Sequence, residues 1–277
     1  MAKSHESKQS YLLTVQKLVA ELVGTYMLIL FGSGSEFIQA QKPNQDLSLA
    51  GVALSWAIAV TAIVYSIGHI SGSHINPASS IALAFIGKFP WKLVPAYALA
   101  QLIGAMLAGL TLRLLFGGNQ AYLLLTLPVG ENPASDINVM AWEIIITFIF
   151  LFVICCSVLH PGAAKGFGGV AIGAVVFVNV IIAGIWKQVL IAALALRPIT
   201  GCSMNPARSV GAAIVAHNFH KLWIYIISPI IGAVGGCVLY YFLQISTKAS
   251  TEDLPVAESR RIETTLGHPN PAYSGYN

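Results

Sequence analysis

Ile70-Ser71-Gly72-Ser73-His74-Ile75-Asn76-Pro77-Ala78-Ser79-Ser80 returns in the second half of the chain as Ile199-Thr200-Gly201-Cys202-Ser203-Met204-Asn205-Pro206-Ala207-Arg208-Ser209. Asn-Pro is a helix-start signal: Asn caps free backbone N–H groups, and Pro suits the first helical position. The residues that follow, Ser80-Ile81-Ala82-Leu83-Ala84 and Ser209-Val210-Gly211-Ala212-Ala213, are apolar enough to remain in a membrane and too short to cross it. A single Asn-Pro-Ala reads as a surface turn. Two in equivalent places read as a duplicated device. A second echo supports the duplication, because Glu21-x-x-x-Thr25 matches Glu143-x-x-x-Thr147.

Around these motifs lie long apolar stretches, at roughly 18–39, 49–69, 93–116, 141–160, 168–190 and 222–243. Each can span a hydrocarbon core about 30 Å thick, which takes about 20 helical residues. Of the 277 residues 56% are hydrophobic and 9% charged, where a soluble domain carries about 25% charged residues. Most of the outside must therefore face a lipid bilayer. The expected fold is an all-α membrane protein with six transmembrane helices and two re-entrant half-helices. Three spans per half make the halves opposite in orientation, an inverted repeat with its pseudo-two-fold axis in the membrane plane.

The expected domains are an N-terminal segment 1–14, a membrane domain 15–244 and a disordered polar tail 245–277. Within the membrane domain the repeats cover about 15–116 and 141–243. Lys3, Lys8, Lys17, Lys88, Lys92, Lys165, Lys248, Arg260 and Arg261 fall at the ends and in alternate loops. The positive-inside rule then puts both termini in the cytoplasm. No cleavable signal peptide is expected before the first span, which would then act as its own insertion signal. The formal charge of +4 is scattered and offers no stripe for nucleic acid. Cys155, Cys156, Cys202 and Cys237 lack zinc-ligand or disulfide-framework spacing. No cofactor, metal or enzymatic nucleophile pair is expected. Ser246, Ser250, Ser259 and Thr264 in the tail read either as phosphorylation sites or as ordinary solvated residues.

Two half-helices entering from opposite faces would meet with their N-termini near the midplane. Non-helical backbone survives at that depth only when buried or lining a watery path. The segments before each motif, Gly72, Ser73, His74 and Ile75 with Gly201, Cys202, Ser203 and Met204, would offer a ladder of carbonyls to that path. Each helix N-terminus presents roughly half a positive charge. Together with the amides of Asn76 and Asn205, these would repel cations while a neutral hydroxyl solute exchanges hydration for carbonyls and donors.

The paired motif resembles the signature of the major intrinsic proteins, the aquaporin family, over about 15–245. Gly68-His69-Ile70-Ser71-Gly72, Pro198-Ile199-Thr200-Gly201 and Leu222-Trp223-Ile224-Tyr225 are similar to the plant nodulin-26-like branch. The resemblance implies a homotetramer with one pore per protomer, in the plasma membrane or an endomembrane. It also implies an outer constriction, which falls on Trp56, Val180, Cys202 and Arg208. Trp and Val there give an apolar wall and Arg208 one polar edge, which suits glycerol, similar small neutral solutes and water. Cys202 stands where this branch usually has Ala. Glu21 and Glu143 read either as a proton relay or as acceptors for the backbone of the re-entrant loops, and the second reading is favoured. His74 is expected in the inner vestibule, and His69 is expected to pack.

One stretch departs from the family pattern. Residues 185–197, Ile185 to Arg197, are thirteen largely apolar residues between the fifth span and the second loop, with no counterpart in the first repeat. They are able to extend the fifth helix by up to about three and a half turns at 3.6 residues per turn, or to form an interfacial helix. Three functions therefore stand: a passive channel for water and small uncharged solutes that excludes protons and ions, a poorly conducting or non-conducting subunit, and a proton-coupled secondary transporter.

Overall fold

The computed structural model describes residues 2–41, 47–117, 124–127, 134–164, 166–184 and 200–252. Among them eight α-helices follow in chain order: α1 Ala2–Gln41, α2 Leu49–Ser71, α3 Pro77–Phe85, α4 Val94–Leu115, α5 Asp136–Ile154, α6 Gly168–Ala183, α7 Pro206–Ala216 and α8 Leu222–Glu252. A 3-10 turn leads into α4, and a π-helical turn, Cys155–Leu159, ends α5. Five helices are long and apolar enough to cross a membrane. The remaining span, fifth in chain order, is α6, described over 16 residues, about 24 Å at 1.5 Å per residue.

The terminal helices run beyond their apolar spans: α1 starts at Ala2 and α8 continues to Glu252, while the spans cover Gln9–Ala40 and Leu222–Gln244. The first eight residues of the expected disordered tail are thus helical, while residues 253–277 lie outside the described residues. The insertion 185–197 also lies outside them.

Local sequence sets each helix start. Ser48 and Ser135 cap α2 and α5 by accepting hydrogen bonds from Gly51 N (3.2 Å) and Asn138 N (3.4 Å). Asn76 and Asn205 cap α3 and α7, with Pro at the first turn of each. The two helices are short because the chain turns back at their C-termini, over Ile86–Gly87 and over His217 in the left-handed conformation. They are the half-helices expected from the sequence.

Helix contacts come in matched sets. The α1·α4 packing of the first half has its partner in α5·α8, α1·α2 in α5·α6, and α4·α7 in α3·α8. The α2·α6 and α3·α7 contacts are their own counterparts and sit on the pseudo-two-fold axis. Close approach in the two largest interfaces uses the same device. A Cβ on Gly104 would strike the Leu22 carbonyl and come within 3.0 Å of Tyr26 N, and one on Gly232 would strike the Ile144 carbonyl and come within 3.0 Å of Phe148 N. Small residues let helix backbones pack this closely where no hydrophobic force separates helix from lipid. Leu22 and Ile144 directly follow Glu21 and Glu143, so these two crossings carry the carboxylates to the middle of the bundle.

Polarity runs inside out. Glu21, Thr25, Gln101, Glu143 and Thr147 are fully buried, whereas Ile58, Leu99, Leu107, Leu114, Val178 and Ile231 are exposed. A lipid-facing surface requires this arrangement, because water would instead draw the carboxylates outward.

Gly232→Val should prevent the α5–α8 approach. Overpacking costs about 1–3 kcal/mol, and a backbone obstacle should take the loss to the upper end. Thermal unfolding of the purified protein in detergent measures it, and an unchanged melting temperature would count against the described crossing.

Candidate functional site

The two loops before α3 and α7 share one backbone conformation. Gly72, Ser73 and Ile75 have φ of 86°, 50° and 43°, and Gly201, Cys202 and Met204 have 91°, 48° and 52°. Left-handed backbone is an outlier for a β-branched residue such as Ile75. It costs on the order of 1–3 kcal/mol and persists only where surroundings over-determine it. A buried carboxylate under each loop supplies the constraint. Glu21 accepts from His74 N (2.9 Å) and Ser71 Oγ (2.6 Å) on Oε1, and from Ile75 N (2.6 Å) and Gln101 Nε2 (2.7 Å) on Oε2. Glu143 accepts from Ser203 N on Oε1 and Met204 N on Oε2, both at 2.9 Å. Behind each loop a tyrosine donates to the carbonyl preceding the glycine: Tyr97 to Ser71 O (2.9 Å) and Tyr225 to Thr200 O (2.6 Å).

The loops also hold each other. Asn76 Nδ2 donates to Met204 O (2.7 Å), and Asn205 Nδ2 donates to Ile75 O (2.8 Å). The Oδ1 atoms accept from the first turns of their own helices, from Ala78 N (2.9 Å) and Ala207 N (3.0 Å). Each asparagine therefore caps its own half-helix while reaching the last loop carbonyl of the other. One amide N–H on each remains beyond these bonds, beside the converging N-termini of α3 and α7.

A cavity of about 620 Å3 passes these groups. Its lining includes His69, Tyr65 and His160 toward one end, Asn76 and Asn205 between, and Trp56, Val180, Cys202 and Arg208 toward the other. Leu28, Val60, Ile172 and Val176 give it an apolar wall. Of the expected carbonyl ladder, Gly72, Ser73, His74, Ile75, Cys202, Ser203 and Met204 border the cavity. Gly201 does not, and its carbonyl accepts from Arg208 Nη1 at 3.0 Å. Pro77, Ala78, Pro206 and Ala207 pack behind the cavity lining, where Ala78 and Ala207 join two different apolar clusters. His74 bonds Ser80 Oγ through Nδ1 (3.0 Å) and stacks edge-on against Phe89. His69, expected to pack, is instead exposed at the cavity mouth. Neither Glu21 nor Glu143 borders the cavity, so their geometry is that of loop supports and offers no relay along it.

At the Trp56 end, Arg208 is 5% exposed. Its Nη1 donates to the Gly201 and Cys202 carbonyls, and Nη2 donates to Glu36 Oε1 at 3.0 Å. The guanidinium lies 4.5 Å from the Trp56 ring centroid, a cation–π contact. Gly32 makes room for the indole, because a Cβ there would run into the ring. Trp56, Arg208 and Cys202 are thus brought together, with Val180 bordering the same cavity.

Sequence reasoning missed several members. Ser71 and Thr200 are hydroxyls at equivalent repeat positions, and each accepts from the loop N–H two residues on, Ser73 N (3.1 Å) and Cys202 N (2.9 Å). Tyr97 and Tyr225 open the third span of each half, and aligning those spans as well as the motifs would have paired them. Glu36 carried its own signal, an acid inside the first apolar stretch.

Glu143→Gln would place an amide N–H against one of the loop donors. A buried donor left unsatisfied costs about 1–3 kcal/mol, so this variant should unfold at lower temperature than the parent, and a melting curve that superimposes on the parent's would contradict the support role. Comparison with known proteins agrees with the geometry. The major intrinsic protein family model matches residues 7–240. Aquaporin NIP1-1 of Zea mays is 42% identical over 238 residues, covering 86% of this chain and 78% of that protein. Nodulin-26 of Glycine max is 42% identical over 238 residues, covering 86% and 81%. Among solved structures, the aquaglyceroporin from Plasmodium falciparum superimposes with a TM-score of 0.68 at 25% identity, over 82% of this chain and 95% of that one. This multi-pass membrane protein belongs to the major intrinsic protein family, as an aquaporin-type channel and not an enzyme.

Proposed function

We propose that the chain is a passive channel for water and small uncharged solutes such as glycerol, and that it excludes protons and ions. The observation that carries this reading is the reciprocal exchange between Asn76 and Met204 O and between Asn205 and Ile75 O. It fixes two positive helix N-termini and two spare amide N–H groups beside one cavity. A cation there meets roughly half a positive charge from each helix. A water or alcohol oxygen meets donors instead, and carbonyls on either side replace the rest of its hydration.

The solute class follows from the Trp56 end of the cavity. Trp56 and Val180 offer carbon surface, and Arg208 offers N–H groups along one edge. A polyol carries hydroxyls on one side and carbons on the other, and fits both at once. The similarity to an aquaglyceroporin points the same way. Proton coupling has less support, because the loop backbone already occupies both buried carboxylates. The non-conducting alternative rests on residues 185–197, which lie outside the described residues. Assembly as a homotetramer and cytoplasmic placement of both termini complete the reading.

Proteoliposomes should shrink faster than empty vesicles in a sucrose jump and re-swell in glycerol, with a low activation energy and no proton-gradient dependence. Water flux with complete glycerol exclusion would remove the polyol part, and saturable gradient-driven uptake would favour a transporter. Mercuric chloride should block flux through Cys202, and Cys202→Ser should abolish the block. An undiminished block in that variant would take the thiol out of the conducting path.

A further inference from the structure

Glu36 belongs to no motif of the repeat, yet it is 6% exposed and bonded to two groups of the outer constriction. Its Oε1 accepts from Arg208 Nη2 at 3.0 Å and from Trp56 Nε1 at 3.1 Å. One oxygen thereby ties the guanidinium to the indole that it faces at 4.5 Å. Gly32, one helical turn earlier on α1, clears the space that the indole occupies. Glu36 itself does not border the cavity, so it stands behind Arg208.

The internal duplication isolates what this arrangement adds. Aligning Glu21 with Glu143 sets Glu36 opposite Val158, and aligning Asn76 with Asn205 sets Arg208 opposite Ser79. Both charges occur at one end of the cavity, and neither occurs at the other, where Val158 and Ser79 also border it. The acid and the base are a paired departure from the repeat.

A buried ion pair is weak evidence for added stability, because desolvation offsets its attraction. Its effect on a passing solute is larger. Arg208 alone would add a full positive charge to a slot already made positive by two helix N-termini, and would draw small anions into it. Three of its five N–H donors are taken by Gly201 O, Cys202 O and Glu36 Oε1, while Nε meets no acceptor among the described residues. Nε is buried, so the second Nη2 hydrogen is the donor that the neutralised guanidinium keeps for a hydroxyl oxygen.

We propose that Glu36 is a specificity-determining residue of the outer constriction: it fixes Arg208 against Trp56 and cancels its charge, so that the slot takes neutral solutes and bars small anions. The inference rests on the channel reading and adds to it a residue outside the four expected constriction positions.

Nitrate and water permeabilities of the full chain in proteoliposomes test it. Glu36→Gln keeps the shape and removes the charge, and should raise the nitrate-to-water ratio about tenfold or more, since an uncompensated charge at such distances exceeds thermal energy several times. Glu36→Asp keeps the charge and should hold the ratio near the parent value. A merely structural role would change absolute fluxes in both variants and leave the ratio alone, so an unchanged ratio in Glu36→Gln, with normal parental water flux, overturns the proposal. A parent that passes neither water nor glycerol sinks the channel reading instead. Melting temperatures then judge the clamp: Glu36→Gln combined with Arg208→Gln should lose no more than the worse single change, and additive losses overturn it.

Discussion

Two backbone carbonyls in the middle of a membrane must find hydrogen-bond donors, and in this fold they find them on the opposite half of the chain. Ile75 and Met204 each have their N–H held by a buried glutamate and their C=O held by the partner loop's asparagine. Unsatisfied polar backbone at that depth would cost several kcal/mol per group. The left-handed residues, the termination of α2 at Ser71 and the meeting of α3 with α7 all follow from satisfying these groups. The asparagines act simultaneously as helix caps and as the bond between repeats, and no other residue type offers an acceptor and two donors in so short a side chain.

The glutamates set the register of this arrangement. Each sits on a helix crossing made close by a glycine, Gly104 in one half and Gly232 in the other. A looser crossing would move the carboxylate away from the loop N–H groups. Helix packing and loop geometry are therefore one problem: the small residue brings the backbones together, and the acid converts that proximity into a fixed loop. The cavity inherits its position from this pair of anchors.

The sequence made the architecture legible because duplication wrote it twice. The Asn-Pro-Ala motifs and the Glu-x-x-x-Thr echoes need only a comparison of the chain with itself, and they locate the half-helices and their supports. Residues without a repeat counterpart were harder. Glu36 faces Val158 in the alignment, so nothing in the duplication pointed to it, and its two partners lie 20 and 172 residues away. Gly201 was expected to border the path and does not line the cavity, and the Arg208 bonds to the Gly201 and Cys202 carbonyls are set by a side-chain rotamer that no spacing reveals. His69 and His74 look alike in sequence. The Ser80 hydroxyl and the rings of Phe89 and Tyr97 enclose His74, while His69 is exposed.

The crossed asparagine bonds carry an implication for how such a molecule arises. A single repeat, standing alone, holds a donor it cannot use and a carbonyl it cannot satisfy, and both defects vanish when a second copy meets it upside down. A primordial unit of this kind would have been useful only if the same polypeptide entered the bilayer in both directions and paired with itself. Joining two such units end to end with an odd number of crossings in each would have made that mixed insertion permanent. In the present chain the two mouths differ, one carrying a charge pair, while the centre is shared by both copies.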